Sequence, residues 1–375
     1  MDSRSAGPRS GAPPCVSSDS LAAAARSTTL PNVDLSAGLF PYAAGYLNTA
    51  SLGLPPAPAV DAMTAALDDW QQGRANPPDY DRYVAASRRH FATISGVPET
   101  WVGAGSQVSG FVGLVAGSIP AGSVVVCPEG EFTSVLFPFL VQSGRDVTVR
   151  TVPFEALADA IGPDVAIVAF SAVRSDDGRV ADLEAIRRAA TSHGVLTLVD
   201  ATQSAGWLPI DAAEFDVVIA GAYKWLLSPR GTAFVSIRPG LIDDILPVHA
   251  GWYAGESPWE SIYGGPLRLA SSARRFDLSP AWLCWVGTAP ARELITTVGV
   301  AAIHRHNVEL ANRCRSAFGM VPSNSAIVSI EPPAGLDATS LGGIRASMRA
   351  GRLRLCFHLY NTNDDVDRVV RAVRI

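Results

Sequence analysis

Short apolar runs alternate with amphipathic stretches along the middle of the chain, from about Ser95 to Pro239. The runs are rich in β-branched residues and short enough for buried strands. They span residues 123–127, 146–150, 165–170, 195–199, 217–219 and 233–237. Between two of them, Leu183, Ile186 and Ala190 share one helical face, and Gly194 follows where a helix should end. Strand, helix and strand at this spacing predict right-handed crossovers and a mainly parallel sheet.

The pattern changes after Pro239. An aromatic passage rich in glycine and proline comes first, with Trp252, Tyr253, Trp259 and Tyr263. Helical sequence follows over residues 292–318, then a strand-like run over 352–358 and a helix from Asn363 onward. We therefore expect a large domain over residues 31–290 and a smaller one over 291–375. Residues 1–30, rich in Ser, Ala, Pro and Gly, are predicted to form a flexible leader.

Composition narrows the kind of partner. Hydrophobic residues make up 48% and charged residues 17% of the 375, and the net charge is −5. This balance is globular and carries no basic stripe for nucleic acid, so we expect a small-molecule partner. The absence of an apolar stretch of membrane-spanning length argues against a membrane segment. The five cysteines include no Cys-x-x-Cys pair, which argues against a disulfide framework or a metal site and favours the cytoplasm.

Two predicted strands end in polar residues that stand out chemically. Asp200 closes the run over 195–199, and Lys224 follows the run over 217–219. Ligands of open α/β sheets bind at the carboxyl ends of strands, which makes both residues candidates. Singly, the aspartate is more simply a helix cap and the lysine a solvated loop residue. Together they supply the amine and the carboxylate that a pyridoxal cofactor needs, one for an imine and one for the pyridine nitrogen.

With these residues, the stretch from Gly45 to Ile375 resembles the class V aminotransferase family of fold-type I enzymes dependent on pyridoxal 5′-phosphate (PLP). The family includes cysteine desulfurases, kynureninases and isopenicillin N epimerases. The resemblance implies an α/β fold with a mainly parallel seven-stranded central sheet, helices on both faces and a smaller α+β C-terminal domain. It also implies a homodimer with a shared active site.

The resemblance assigns cofactor roles to individual residues. It implies that Lys224 is the Schiff-base lysine, that Asp200 pairs with the pyridine nitrogen, and that Gln203 donates to the phenolic oxygen. Tyr223 replaces a histidine common in relatives and is expected to bind the phosphate, whereas Gly221 and Ala222 lack a hydroxyl that many relatives use there.

Further cofactor contacts are expected at four places. Gly105, Ser106 and Gln107 resemble the phosphate loop and precede an apolar helical run, whose free N–H groups favour an anion. Phe132 resembles the ring that stacks on the cofactor, although it is also a candidate core residue. Ser175 corresponds to a polar position near the cofactor. Ser279 lies in a segment that a partner subunit lends to the phosphate site.

Two residues are expected to bind substrate. Arg354 lies six residues before Tyr360-Asn-Thr-Asn363, as in the family's terminal pattern, and its planar guanidinium matches a carboxylate in two bonds. The alternative is a surface arginine on an edge strand. Asn48 lies in a segment that approaches the substrate in relatives, and a simple turn is its alternative explanation.

The reaction is inferred from what the chain lacks. Desulfurases carry a nucleophilic cysteine where this chain has Thr339, Ser340 and Leu341, and Cys356 has the pattern of a packed strand residue. Transamination, C–S β-elimination and epimerisation remain, and we predict an aminotransferase because no extra nucleophile is present. The alternative from another class is a catalytically inactive regulator that binds PLP, or a sugar or amino acid. The absence of a DNA-binding appendage and the presence of Asp200, Gln203 and Lys224 argue against it.

Overall fold

A seven-stranded sheet forms the centre of the protein. The structure, a computed structural model, describes residues 36–333 and 341–373. The strands are β1 Val102–Gly105, β2 Val124–Pro128, β3 Thr148–Val152, β4 Val165–Ser171, β5 Leu196–Asp200, β6 Val217–Gly221 and β7 Ala233–Ile237. Their order across the sheet is β1-β7-β6-β5-β4-β2-β3. All six apolar runs therefore form strands of this sheet, with ends within two residues of those predicted.

The sheet is mainly parallel, as predicted. Strands β3, β2, β4, β5 and β6 pair in parallel, and β7 pairs antiparallel with both β6 and β1. In a parallel array the carboxyl ends of the strands meet at one edge. Asp200 and Gly221, the last residues of β5 and β6, therefore lie side by side at that edge.

Helices cover both faces of the sheet, which explains why its strands read as continuous apolar runs. The helices are α1 Ser36–Leu39, α2 Ala57–Gln71, α3 Asp81–Ser95, α4 Val108–Ser118, α5 Thr133–Leu140, α6 Leu183–His193, α7 Trp282–Val298, α8 Val300–Ala317 and α9 Asn363–Val373. In β5, Val199 joins a core cluster with Phe91 of α3 and Ile186 of α6. Leu198, its neighbour, joins the opposite cluster with Phe111 of α4.

The C-terminal part carries a second sheet. Strands β8 Ile327–Ile330, β9 Ser347–Arg349 and β10 Arg352–Cys356 form three antiparallel strands in the order β8-β10-β9. Helices α8 and α9 pack against it through Leu310 and Val369. A single helix, α7, runs continuously across residue 290, so the domain boundary at 290 stays a prediction. The predicted leader, residues 1–30, lies outside the described residues.

The predicted helices over residues 182–193 and 292–318 are both present in this fold. Asp182 caps α6 by accepting a hydrogen bond from the Ala185 N–H at 2.9 Å, and Gly194 ends it in the left-handed conformation. The second stretch begins earlier than predicted and divides into α7 and α8 at Gly299, whose φ is 85°. Within the described ranges, no helix is both long and apolar enough to span a membrane.

Candidate active site

The carboxyl ends of β5 and β6 form one wall of a cavity of about 170 Å³. Its lining contains six residues predicted from the sequence, namely Ser106, Gln107, Phe132, Asp200, Tyr223 and Lys224. The lining also contains Val108, Ser109, Ser134, Thr202, Gly221, Arg230 and Gly231. Topology thus brings together residues that lie more than a hundred positions apart in the chain.

Lys224 is the only lysine in the chain, against 29 arginines. This signal is present in the sequence alone, and it separates Lys224 from an ordinary solvated side chain. The residue is 6% exposed, and its Nζ lies 5.3 Å from the centre of the Phe132 ring. Burial lowers the pKa of its ammonium to about 8, Asp200 acts in the opposite sense, and Arg354 and Arg349 lower the pKa further. A buried amine with this pKa has a substantial neutral, nucleophilic fraction near neutral pH.

Asp200 is buried beside this amine. Its Oδ1 accepts a hydrogen bond from the Thr202 N–H at 2.8 Å. Burial raises the pKa of the carboxyl, while the hydrogen bonds from Thr202 and the charge of Lys224 lower it. A buried carboxylate of this kind is stabilised by a cationic group placed against it, which a protonated pyridine nitrogen provides.

The loop that carries Lys224 is held closely by the Tyr46–Gly53 segment. The Gly53 N–H donates to the Tyr223 carbonyl oxygen at 2.9 Å. A Cβ at Gly53 would overlap the Lys224 carbonyl oxygen and lie 2.9 Å from Leu227 Cδ2, so only glycine fits without movement. Leu227 itself is buried in the left-handed region, with a φ of 55°. A leucine there is strained, and the surrounding packing holds the turn.

Gln203 connects the same two segments. Its Nε2 donates to the Ala50 carbonyl oxygen at 3.0 Å, and its Oε1 accepts from Trp225 Nε1 at 2.7 Å. The side chain is buried, and both ends of the amide are therefore engaged by protein. Its predicted bond to the cofactor's phenolic oxygen stays a prediction.

The opposite end of the cavity suits an anion. Gln107 is the N-cap residue of α4, so Ser106 and Gln107 lie at the helix end whose N–H groups have no partner within the helix. Gly105, the last residue of β1, faces the Phe111 ring, which a Cβ would approach to 2.7 Å. Arg230 lies with its guanidinium carbon 5.3 Å from the centre of the Tyr223 ring. Its charge lowers the pKa of the Tyr223 hydroxyl, which burial raises more strongly.

Phe132 is held at the cavity by Glu131. The Glu131 carboxylate accepts hydrogen bonds from the Phe132 N–H at 2.6 Å and from the Ser171 N–H at 2.8 Å. Burial raises the pKa of Glu131, and the bonds from Ser171 lower it. Phe132 is 45% exposed, so its ring is not filling the core. The alternative that Phe132 is a core residue does not fit this exposure.

Arg354 lies in β10, buried to 1% exposure. Its Nη2 donates to Ser51 Oγ at 2.7 Å and its Nε to Ser347 Oγ at 3.2 Å, while Nη1 donates to the Ser175 carbonyl oxygen. All three acceptors are uncharged. The guanidinium is therefore not a surface group on an edge strand, and its charge is not neutralised by these contacts.

Three other predicted site residues, Ser175, Asn48 and Ser279, do not line the cavity around Lys224. Ser175 contacts Arg354 through its backbone rather than lining the cavity. Asn48 Oδ1 is buried without a hydrogen-bond partner among the described residues, so a ligand is one way to satisfy it. Ser279 is exposed one residue beyond Leu278, which lines a neighbouring cavity of about 410 Å³ together with Ser106 and Gln107. Of the segment predicted to lack a nucleophile, Thr339 and Ser340 lie outside the described residues.

PLP fits this arrangement of charges. The cavity has a helix N-terminus and Arg230 at one end, a buried carboxylate at another, and an aromatic ring near the Lys224 amine. These features match an anionic phosphate, a pyridine nitrogen, a planar ring and an aldehyde. Glu131 and Arg230 are not among the residues predicted from the sequence, because neither an acceptor of backbone N–H groups nor a loop arginine carries a local signal of its role.

Comparisons with known proteins find relatives of similar sequence and similar fold. The family described as Aminotransferase class-V matches residues 103–334. An uncharacterized aminotransferase, YcbU of Bacillus subtilis (strain 168), is 30% identical over 76% of this chain and 82% of its own. Isopenicillin N epimerase of Streptomyces clavuligerus is 24% identical over 87% of this chain and 93% of its own. The structure of a cystine C–S lyase bound to cysteine persulfide superposes with a TM-score of 0.79 and 22% identity, covering 89% and 98% of the two chains.

Proposed function

The chain belongs to the class-V aminotransferases and is a PLP-dependent enzyme, and on that premise we propose that it transfers the amino group of an amino acid. The observation that carries the proposal is a cleft formed by the cavity around Lys224 and Asp200 and by the buried Arg354, which is close enough to lower the pKa of Lys224. No cysteine lines the cavity among the described residues, and Cys356, which also affects that pKa, is fully buried in β10. Transamination needs a base, an electron sink and a fixed substrate carboxylate, and it needs no protein nucleophile beyond the lysine.

Each residue of the cleft has a role in this proposal. Lys224 would hold the cofactor through its aldehyde, and as a free amine its Nζ would accept and return the proton at the substrate α-carbon. Asp200 would hold the protonated pyridine nitrogen, and Phe132 would hold the planar ring by stacking. Arg354 fixes the substrate carboxylate and thereby orients the bonds of the α-carbon. When bound, PLP supplies the electron sink that stabilises negative charge on that carbon.

The phosphate is held, in this proposal, by the N-terminus of α4 with Gly105, Ser106 and Gln107, and by Tyr223. Arg230 supplies the cationic contact at this end, which compensates for the hydroxyls that Gly221 and Ala222 lack. Replacing Arg230 by glutamine should weaken PLP binding by about tenfold, the loss of one charge-assisted contact. Titration of cofactor-free enzyme with PLP measures this effect, and an unchanged dissociation constant would remove Arg230 from the site.

We also propose a cytoplasmic homodimer in which a second copy closes the phosphate end. Two cavities meet at Ser106 and Gln107, and the wider one opens beside Leu278. Ser279 of one copy would then reach the phosphate of the other. Sedimentation velocity should give a dimer. Ser279→Ala should weaken PLP binding, and the variant should remain a dimer. A monomer that binds PLP as tightly as the dimer would contradict the proposal.

A panel of amino acids tests the reaction. The purified enzyme is mixed with each one, and keto acid, pyruvate with sulfide, and racemised substrate are measured in parallel. We expect keto acid together with conversion of the cofactor to its amine form. Sulfide with pyruvate would indicate a C–S lyase, racemisation alone would indicate an epimerase, and no change with any amino acid would favour a regulator. Lys224→Ala is the control that should abolish the visible absorption band of the bound cofactor.

A further inference from the structure

The β9–β10 hairpin carries a second arginine, Arg349, beside Arg354. Arg354 pairs with Ser347 and Arg352 with Arg349 across the two antiparallel strands. Residues directly opposite each other share a face of the sheet, as do alternate residues of one strand. Arg349 therefore lies on the same face as Arg354. The two residues of the turn, Ala350 and Gly351, have φ values of 49° and 75°, which is typical of the tight turns that fix hairpin register.

The two guanidinium groups converge on one hydroxyl. Ser51 Oγ accepts from Arg354 Nη2 at 2.7 Å and from Arg349 Nη2 at 3.4 Å. Arg349 Nη1 donates to the Met348 carbonyl oxygen at 2.7 Å. Every acceptor of the two side chains is uncharged, so their adjacent positive charges are not neutralised by these contacts.

Arg349 differs in direction from Arg352, its neighbour on the hairpin. Arg352 turns away toward β8, where its Nε donates to Ser329 Oγ at 3.1 Å and its Nη2 to the Ser329 carbonyl oxygen at 3.0 Å. Arg349 is close enough to the cleft to lower the pKa of both Lys224 and Arg354. Arg349 is therefore exposed to solvent and at the same time close to the Lys224 amine and the Arg354 guanidinium.

A substrate with one carboxylate neutralises only one of these charges. We propose, on the basis of the proposed function, that Arg349 forms a second anion site and that the substrate is an amino acid with an acidic side chain. Arg354 binds the α-carboxylate and Arg349 the distal acid group. Ser51 holds the two guanidinium groups side by side before the substrate arrives. Binding therefore costs less side-chain conformational entropy.

Unreactive acids test the site by binding alone. The affinities of the PLP-loaded enzyme for succinate and glutarate are compared by calorimetry with those for butyrate and valerate, the monoacids of equal length. Because Arg349 is exposed, we expect the diacids to bind about three- to tenfold more tightly, and the preference to shrink as salt is added. Arg349→Gln should remove the preference and Arg349→Lys should retain most of it.

Arg352→Gln is the matched control, because it removes the same charge from the same hairpin without touching Ser51. It should leave the diacid preference unchanged. Equal affinity of the wild-type enzyme for diacids and monoacids would overturn the proposal, as would an equal loss of preference in Arg352→Gln. Visible spectra and melting temperatures of the three variants establish that each is folded and loaded.

Turnover separates this proposal from the proposed reaction. If the diacid preference depends on Arg349 and yet no amino acid converts the cofactor to its amine form, transamination is wrong and the acid site stands. If neutral amino acids are transaminated as fast as acidic ones and the diacids bind no better, the acid site is wrong and transamination stands.

Discussion

The pH dependence of cofactor capture follows from the burial of Lys224. Its pKa is lowered from 10.5 to about 8, so the neutral fraction at pH 7 is roughly 300-fold larger than that of an ordinary lysine. The neutral amine is the form that attacks an aldehyde. The rate at which cofactor-free enzyme binds PLP covalently should therefore rise with pH and level off above about pH 8. Stopped-flow absorbance measures this rate, and a simple lysine derivative treated with the same aldehyde corrects for the titration of PLP itself.

Two variants test the causes of this shift. Asp200 raises the pKa of Lys224, so Asp200→Asn should move the midpoint of the rate profile to lower pH. Arg349 lowers the pKa, so Arg349→Gln should move the midpoint to higher pH. A corrected profile in the wild-type enzyme that still rises up to pH 10.5 would refute the reasoning. Shifts of the two variants in the same direction would refute the electrostatic part of it.

Three further substitutions test the packing around the site, each measured by urea unfolding of the cofactor-free protein. Gly53→Ala places a methyl group against the Lys224 loop and should cost about 1–3 kcal/mol of unfolding free energy, whereas an unchanged value would mean that the loop moves freely. Glu131→Ala leaves the Phe132 and Ser171 N–H groups without an acceptor and should cost about 1–3 kcal/mol, and a neutral result would show that water replaces the carboxylate. Arg292 is fully buried in α7, and its three side-chain nitrogens have no acceptor among the described residues. Arg292→Met should therefore raise the unfolding free energy by about 1–4 kcal/mol, and a loss of stability would indicate that the charge has a partner.

The fold is predictable where local sequence and tertiary environment agree. The runs that form β2 and β4 to β7 are mostly buried, so their apolar character is continuous and easily read. The edge strand β3 is largely exposed and mixes valine with polar residues. Strand β1, with the sequence Val-Gly-Ala-Gly, carries no continuous apolar pattern because its glycines allow close approach of Val235 and Phe111. Similarly, the sequence over 292–318 is helical throughout, and only the positive φ of Gly299 shows that two helices meet there.

The site is predictable to the extent that it lies at strand ends. Asp200 and Lys224 follow from the position of β5 and β6, and Arg354 from the family's terminal pattern. Arg349 and Arg230 do not, because an arginine beside a hairpin turn or in a loop has no local mark of function. Their importance arises from Ser51, nearly 300 positions away from Arg349, and from Tyr223. The lone lysine is the exception, since counting residues is enough to find it.

Because the chain has one lysine, covalent attachment of the cofactor can be located without ambiguity. The PLP-loaded enzyme is reduced with borohydride, digested and mapped by mass spectrometry, with Lys224→Ala treated in the same way. We predict one reduced cofactor per chain, on the peptide that contains residue 224, and none in the variant. A cofactor fixed to the N-terminal amine, or a variant that keeps both the label and the visible absorption band, would contradict the assignment of Lys224.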